Sequence, residues 1–326
     1  EMQRSLVGSE MCIRDRAVKG NITVGILSCF LSYANQYTKP FNEISSVVTE
    51  LQNAIACAAR VFELIEEAPE LPDKADATEL ENVKGSVEIN NLYFSYNPDR
   101  ELLKNVNINV EPGKTVAIVG PTGCGKTTLI NLLMRFYDVS SGKIFIDGKD
   151  IRDYDIGVLR EKFGAVFQND IIFEDSVSEN IKLGRNITDE NMKKAAKASC
   201  IDSHISQMDE GYDSFLAIRG NNLSGGQKQR MLISRAIAGN PEILVLDDSS
   251  SALDYKTDAA IRKNIDEMGK NTTTIIVAQR VSSVLDCDKI IVIDEGRIAA
   301  CGNHDKLLKT CAIYARISSL QSGITQ

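Results

Sequence analysis

From Gly85 to about Ile317, short apolar runs alternate with stretches of helical period, the pattern of an α/β domain. Val116-Ala-Ile-Val119 predicts a short strand, and Thr128-Leu-Ile-Asn-Leu-Leu-Met134 predicts a helix. Ser86-Val-Glu-Ile-Asn-Asn-Leu-Tyr-Phe94 and Val106-Asn-Ile-Asn-Val110 alternate with period two and predict antiparallel strands. Ile243-Leu-Val-Leu246 is apolar throughout and predicts a buried central strand. Thr273–Val277 and Lys289–Ile293 predict two further core strands.

The pattern before residue 85 is different. Residues 22–37 are apolar and uncharged, at the short edge of a bilayer span. They are rich in small residues (Gly25, Ser28, Cys29, Ser32, Ala34), which suits helix packing in lipid. A buried core helix fits the same length. A long helical period follows, with Ile44, Val47, Val48, Leu51, Ile55, Ala58, Val61, Phe62 and Ile65. Ala68-Pro-Glu-Leu-Pro72 breaks that period, and Asp73–Lys84 is polar. The expected organisation is therefore 1–19 unassigned (without usable pattern, either a non-native leader or the ragged start of a fragment), 20–66 one long helix, 67–84 a linker and 85–320 the α/β domain.

Composition narrows the classes. The chain has 326 residues, room for about two domains. Its net charge of −8 argues against nucleic acid as the main partner, since phosphate contacts need a basic face. Eight scattered cysteines form no CxxC pair and no metal-spaced Cys/His cluster, so reduced thiols are the simplest reading. With only two His, imidazole catalysis has little to draw on.

The chemistry begins between the predicted strand and helix. Gly120-Pro121-Thr122-Gly123-Cys124-Gly125-Lys126-Thr127 has the Gly, four residues, Gly, Lys, Thr spacing of a phosphate-binding loop. Its glycines let successive backbone N–H groups turn toward one anion, and the helix that continues through Thr128 adds its positive end. Lys126 is placed to reach terminal phosphates, and Thr127 to offer its hydroxyl to Mg²⁺. The Ile243–Leu246 strand ends in Asp247-Asp248, and a carboxylate there suits the same cation.

Leu223-Ser224-Gly225-Gly226-Gln227 opens another helix, roughly 100 residues after the phosphate loop and shortly before Asp247. In isolation it reads as a helix N-cap. In this order with the loop and the carboxylates, the chain resembles the ATP-binding cassette (ABC) ATPases of the exporter type, across residues ~20–320. The resemblance implies a P-loop NTPase cassette: a parallel core sheet, a flanking antiparallel sheet and a helical subdomain, preceded by one long membrane and cytoplasmic helix. It implies that Tyr96 stacks on adenine and that Gln168 touches Mg²⁺ and meets the membrane domain. Leu223–Gln227 then closes on a partner's ATP in a head-to-tail dimer, and Ser251-Ala-Leu-Asp254 crosses that interface. Residues 22–66 match the last membrane helix and its extension, with five preceding helices absent from this sequence.

Three positions depart from that family pattern. Asp248 stands where the family has Glu, with a carboxylate shorter by roughly 1.5 Å. Gln279 stands where it has His, and Gln cannot take a proton. Leu216–Gly220 lacks the usual acidic residue. With Lys126, Thr127, Asp247 and the signature intact, the resemblance implies one half of a heterodimeric exporter in the plasma membrane, its cassette cytoplasmic. Its own ATP site is then hydrolytically weak, and its signature serves a second half-transporter. The alternative is a regulatory ATP-binding subunit with negligible turnover. A cassette ATPase acting on nucleic acid fits neither the charge nor residues 22–37. The transported substrate has no signature here.

Overall fold

The structure, a computed structural model, describes residues 18, 20, 23–67, 83–249, 252–268, 271–278 and 280–321. The leader, almost all of the linker, Ser251 and Gln279 lie outside the described residues. The chain divides into two compact units, Glu1–Glu70 and Leu71–Gln326.

In the first unit the described residues form one long helix, α1 (Val24–Ile65), of 42 residues. Thr23 caps it, its Oγ1 accepting the Ile26 N–H at 3.4 Å. Pro40 lies inside, where it removes one backbone hydrogen bond. None of the helix's residues is buried. The unbroken helix agrees with the periodicity. Among the described residues, no helix is long and apolar enough to cross a membrane. The uncharged run ends at Lys39, which pairs with Glu43 at 3.9 Å.

The second unit is built on two sheets. One holds β1 (Val87–Phe94), β2 (Leu103–Val110), β4 (Ser141–Ile146) and β5 (Lys149–Asp150) in the order β2-β1-β4-β5. All its pairings are antiparallel. The other holds β3 (Thr115–Val119), β6 (Phe163–Val166), β7 (Ile243–Asp247), β8 (Thr273–Val277), β9 (Lys289–Asp294) and β10 (Arg297–Gly302) in the order β10-β9-β3-β8-β7-β6. Its pairs are parallel except for β10 against β9. The Ile243 strand is thus flanked on both sides but sits one place in from the β6 edge.

The second sheet divides the core, because strand side chains alternate between faces. Ala117, Val119, Leu244, Leu246, Ile290 and Val292 pack into one apolar cluster. Val116, Ile118, Ile243, Val245, Ile291 and Ile293 pack into the other. With both faces buried, the strands read as continuous apolar runs. The first cluster carries the helical subdomain: α4 (Val177–Lys182), α5 (Asp189–Ala198), α6 (Asp202–Ile205) and α7 (Gly225–Ile237) follow α2 (Lys126–Leu133) and α3 (Ile156–Glu161) in the chain. α8 (Tyr255–Met268), α9 (His304–Thr310) and α10 (Ala312–Gln321) complete the unit. The flanking antiparallel sheet and α2 contribute to the second cluster.

Candidate nucleotide site

The loop from Gly120 to Gly125 joins β3 to α2 at the carboxyl end of the parallel sheet, where α/β folds bind ligands. Two of its glycines are dictated by geometry. A Cβ on Gly120 would lie 2.1 Å from the Ile293 carbonyl oxygen on β9. Gly125 caps α2 at φ +103°, and a Cβ there would meet the Leu103 side chain at 2.6 Å. Cys124 is buried within the turn. Burial pushes its thiol up, while the Lys126 ammonium draws it back.

Lys126 donates from Nζ to the carbonyls of Gly120 at 2.9 Å and Pro121 at 2.8 Å, so its charge sits over the loop. Thr127 donates from Oγ1 to Asp247 Oδ2 at 2.8 Å. Asp247 is 2 % exposed. Burial raises its carboxyl above the ordinary range, against the Thr127 hydrogen bond and the Lys126 charge. Asp248 follows at φ +52°, its backbone N–H donating to Val277 O at 3.0 Å. Burial and the Asp247 charge raise its carboxyl, while Arg280 and Lys126 oppose them. A hydroxyl and a buried carboxylate in contact are hard oxygen donors of the kind Mg²⁺ takes. No cluster of three or more His, Cys, Asp or Glu side chains suited to a metal occurs among the described residues.

A cleft of about 520 Å³ opens over the loop, within the range of small-molecule sites. It is lined by Tyr96, Thr122, Gly123, Gly125, Lys126, Thr127, Thr128, Gln168 and Asp247, together with Asn97, Arg100, Leu102 and Val277. Most of the loop, the aromatic, the glutamine and the first carboxylate expected from sequence therefore meet in one place. Tyr96 is half exposed; its ring meets Phe94 at 4.9 Å and Tyr137 at 5.1 Å, both edge-on, and its hydroxyl donates to Thr128 at 3.4 Å. The sequence reading missed Tyr137, Asn97 and Arg100, which carry no local pattern. A second cleft, of about 490 Å³, lies at the other end of β3 and β8 and contains no residue of the loop.

The signature is not part of the nucleotide cleft. Leu223 is buried, and Ser224 caps α7 in a reciprocal box: Ser224 N–H donates to Gln227 Oε1 at 2.7 Å, and Gln227 N–H donates to Ser224 Oγ at 3.3 Å. Gly225 and Gly226 begin the helix against Ala252. Asp254, just before α8, accepts the Thr257 N–H at 3.0 Å and the Thr257 hydroxyl at 2.7 Å.

Residues 103–251 match the family model described as ABC transporter. A multidrug export ATP-binding/permease protein of Staphylococcus aureus (strain NCTC 8325 / PS 47) is 42% identical over 308 residues, 94% of this chain and 53% of that protein. The similarly named YgaD of Bacillus subtilis (strain 168) is 40% identical over 307 residues, with the same coverage. The chain thus spans about half the length of the curated relatives it matches. The structure of a bacterial Atm1-family ABC exporter with ATP bound superposes with a TM-score of 0.76 at 37% identity, covering 92% of this chain and 53% of that one. The second unit is a mixed α/β P-loop NTPase of the cassette type, similar to the ATP-binding domains of ABC transporters.

Proposed function

We propose that this chain is the ATP-binding and ATP-hydrolysing part of an ABC half-transporter that drives export, working with a different second half. In this reading residues 20–66 are the last membrane helix and its cytoplasmic extension, and the cassette (85–320) faces the cytoplasm of the plasma membrane. Exposed Ile171, Phe173, Phe215 and Ile218, from the loop after Gln168 and the segment before the signature, support it as an apolar face for helices of the membrane part. Thr127 and Asp247 would hold Mg²⁺, with Gln168 at the cleft edge. The cation would neutralise charge on the transferring phosphoryl group.

The own site is the weak one, and the observation that carries this is the Asp248 backbone. Its N–H is tied to Val277 O at 3.0 Å, so the main chain is held at the end of β8. A side chain one carbon too short cannot be offset by advancing a held backbone. A misplaced base forfeits much of a ~10²–10⁴-fold contribution, and Gln279 offers no proton acceptor in exchange. Ser224, presented on the surface at the start of α7, remains suited to a partner's γ-phosphate.

The test is single-turnover ATP hydrolysis by the full chain, alone and with candidate partner halves, as wild type and as Asp248→Glu with Gln279→His. Hydrolysis by wild type only with a partner, and restored alone by the double change, is the expected result. Ordinary turnover by wild type alone would make it a symmetric half-transporter. Binding without turnover in every mixture would make it a regulatory ATP-binding subunit.

A further inference from the structure

The helical subdomain holds a hydrogen-bond relay that ends on the signature. His204, on α6, has Nδ1 3.2 Å from Gln227 Nε2. The Gln227 amide is orientated from its other side: its Oε1 accepts the Ser224 N–H at 2.7 Å, and a backbone N–H can only donate. The amide nitrogen therefore faces His204 and donates to Nδ1. The imidazole proton then lies on Nε2, which is buried and has no hydrogen-bond partner. A ring nitrogen left unpartnered is costly, and its position is explained by what the opposite nitrogen does.

We infer that His204 is a positioning residue for the signature: it fixes the Gln227 amide, which fixes Ser224. The inference rests on the reading that Ser224 meets a partner's ATP. Held this way, the Ser224 hydroxyl accepts from the Gln227 N–H at 3.3 Å and keeps its own proton to donate outward, toward an anion. Without His204 the amide is free to flip, and the flipped orientation sets its NH2, a donor, against the Ser224 N–H. Docking of α6 on α7 does not depend on this one bond. Arg230 on α7 also donates to Cys200 O at 2.7 Å, just before α6.

Three variants of the full chain test this. His204→Phe keeps a ring and removes the acceptor along with the unpartnered nitrogen. His204→Asn places an oxygen where Nδ1 stands. Ser224→Ala reports on the signature itself. Amide hydrogen exchange at Ser224 should rise about tenfold in His204→Phe, from loss of one ordinary hydrogen bond's worth of order. The thermal midpoint should be unchanged or higher, and His204→Asn should restore slow exchange. Single-turnover hydrolysis in the Asp248→Glu, Gln279→His background should fall in kcat for both His204→Phe and Ser224→Ala, with KM for ATP unchanged. Unaltered Ser224 exchange in His204→Phe overturns the relay. So does loss of folding in His204→Phe that His204→Asn also shows, because the role is then structural. Raised exchange with no kinetic effect of Ser224→Ala keeps the relay and overturns the reading of the signature instead.

Discussion

Thr127 and Asp247 are 120 residues apart in sequence and share a 2.8 Å hydrogen bond between Oγ1 and Oδ2. One is on the first turn of the helix after the phosphate loop; the other is the last residue of a strand two places across the sheet. The loop motif and the strand-end carboxylate are thereby one site.

Asp247→Asn separates stability from binding. Burial raises the Asp247 carboxyl, so its contribution to folding falls as pH rises from the ordinary carboxyl value through the higher native one. At neutral pH an uncharged amide should therefore stabilise the ligand-free chain, by about 0.5–2 kcal/mol. The same change should abolish the Mg²⁺-dependent part of the ATP-induced rise in melting temperature, worth about 2.7 kcal/mol at a hundredfold excess over Kd. Thermal melts with and without Mg-ATP measure both.

Asp147 has the opposite sign. Burial alone would raise its carboxyl, but Oδ1 and Oδ2 accept from Ser86 N–H at 2.8 Å, Lys84 N–H at 2.7 Å, the Ser86 hydroxyl at 2.9 Å and Gly85 N–H at 3.3 Å, and these hold it below the ordinary range. Its stabilisation is complete above the unfolded carboxyl value near pH 4 and is lost as pH falls through the lower native one. Asp147→Asn keeps a residue tolerant of the φ +49° found there. After allowance for solvent screening it should cost about 1 kcal/mol at pH 7 and nothing near pH 2, read from urea titrations at both.

Tyr137→Ala removes the ring that braces Tyr96 at 5.1 Å. A loss of about 0.5–1.5 kcal/mol is expected for such a contact, or roughly a two- to tenfold weaker Kd for ATP. Binding of inorganic tripolyphosphate, which has no base to stack, should not change. Equal weakening of both ligands in calorimetry would place Tyr137's effect on the loop rather than on the base.

Gly120→Ala tests the contact with β9. A Cβ 2.1 Å from Ile293 O forces the loop or the strand to move. The expected cost is about 1–3 kcal/mol of stability, with nucleotide affinity lost in parallel. Equilibrium unfolding and ATP titration would report the two together.

Much of this was legible in the sequence because its signals are local. The phosphate loop announces itself through glycine spacing, β7 through an unbroken apolar run, and β1 and β2 through period-two alternation. What was illegible depends on the order of strands. The Tyr137 ring beside Tyr96 and the His204 nitrogen against Gln227 join segments whose separation in sequence carries no pattern. Residues 22–37 lie at the short edge of a bilayer span, and the uncharged run ends at Lys39, so length alone leaves a membrane helix and a buried core helix as the two readings. The Ser224 tripeptide was read both as a cap and as a signature, and the structure gives it the cap outright, with the second role open to experiment.

The contact between Gly120 and β9 also bears on portability. The eight-residue loop is often treated as a self-contained module, yet its first residue is shaped by a carbonyl 173 positions later. Transplanting the octapeptide onto another strand–helix pair would carry over the letters without the wall they lean on. In this molecule, the neighbouring strand is as much a component of the anion cradle as the glycines are.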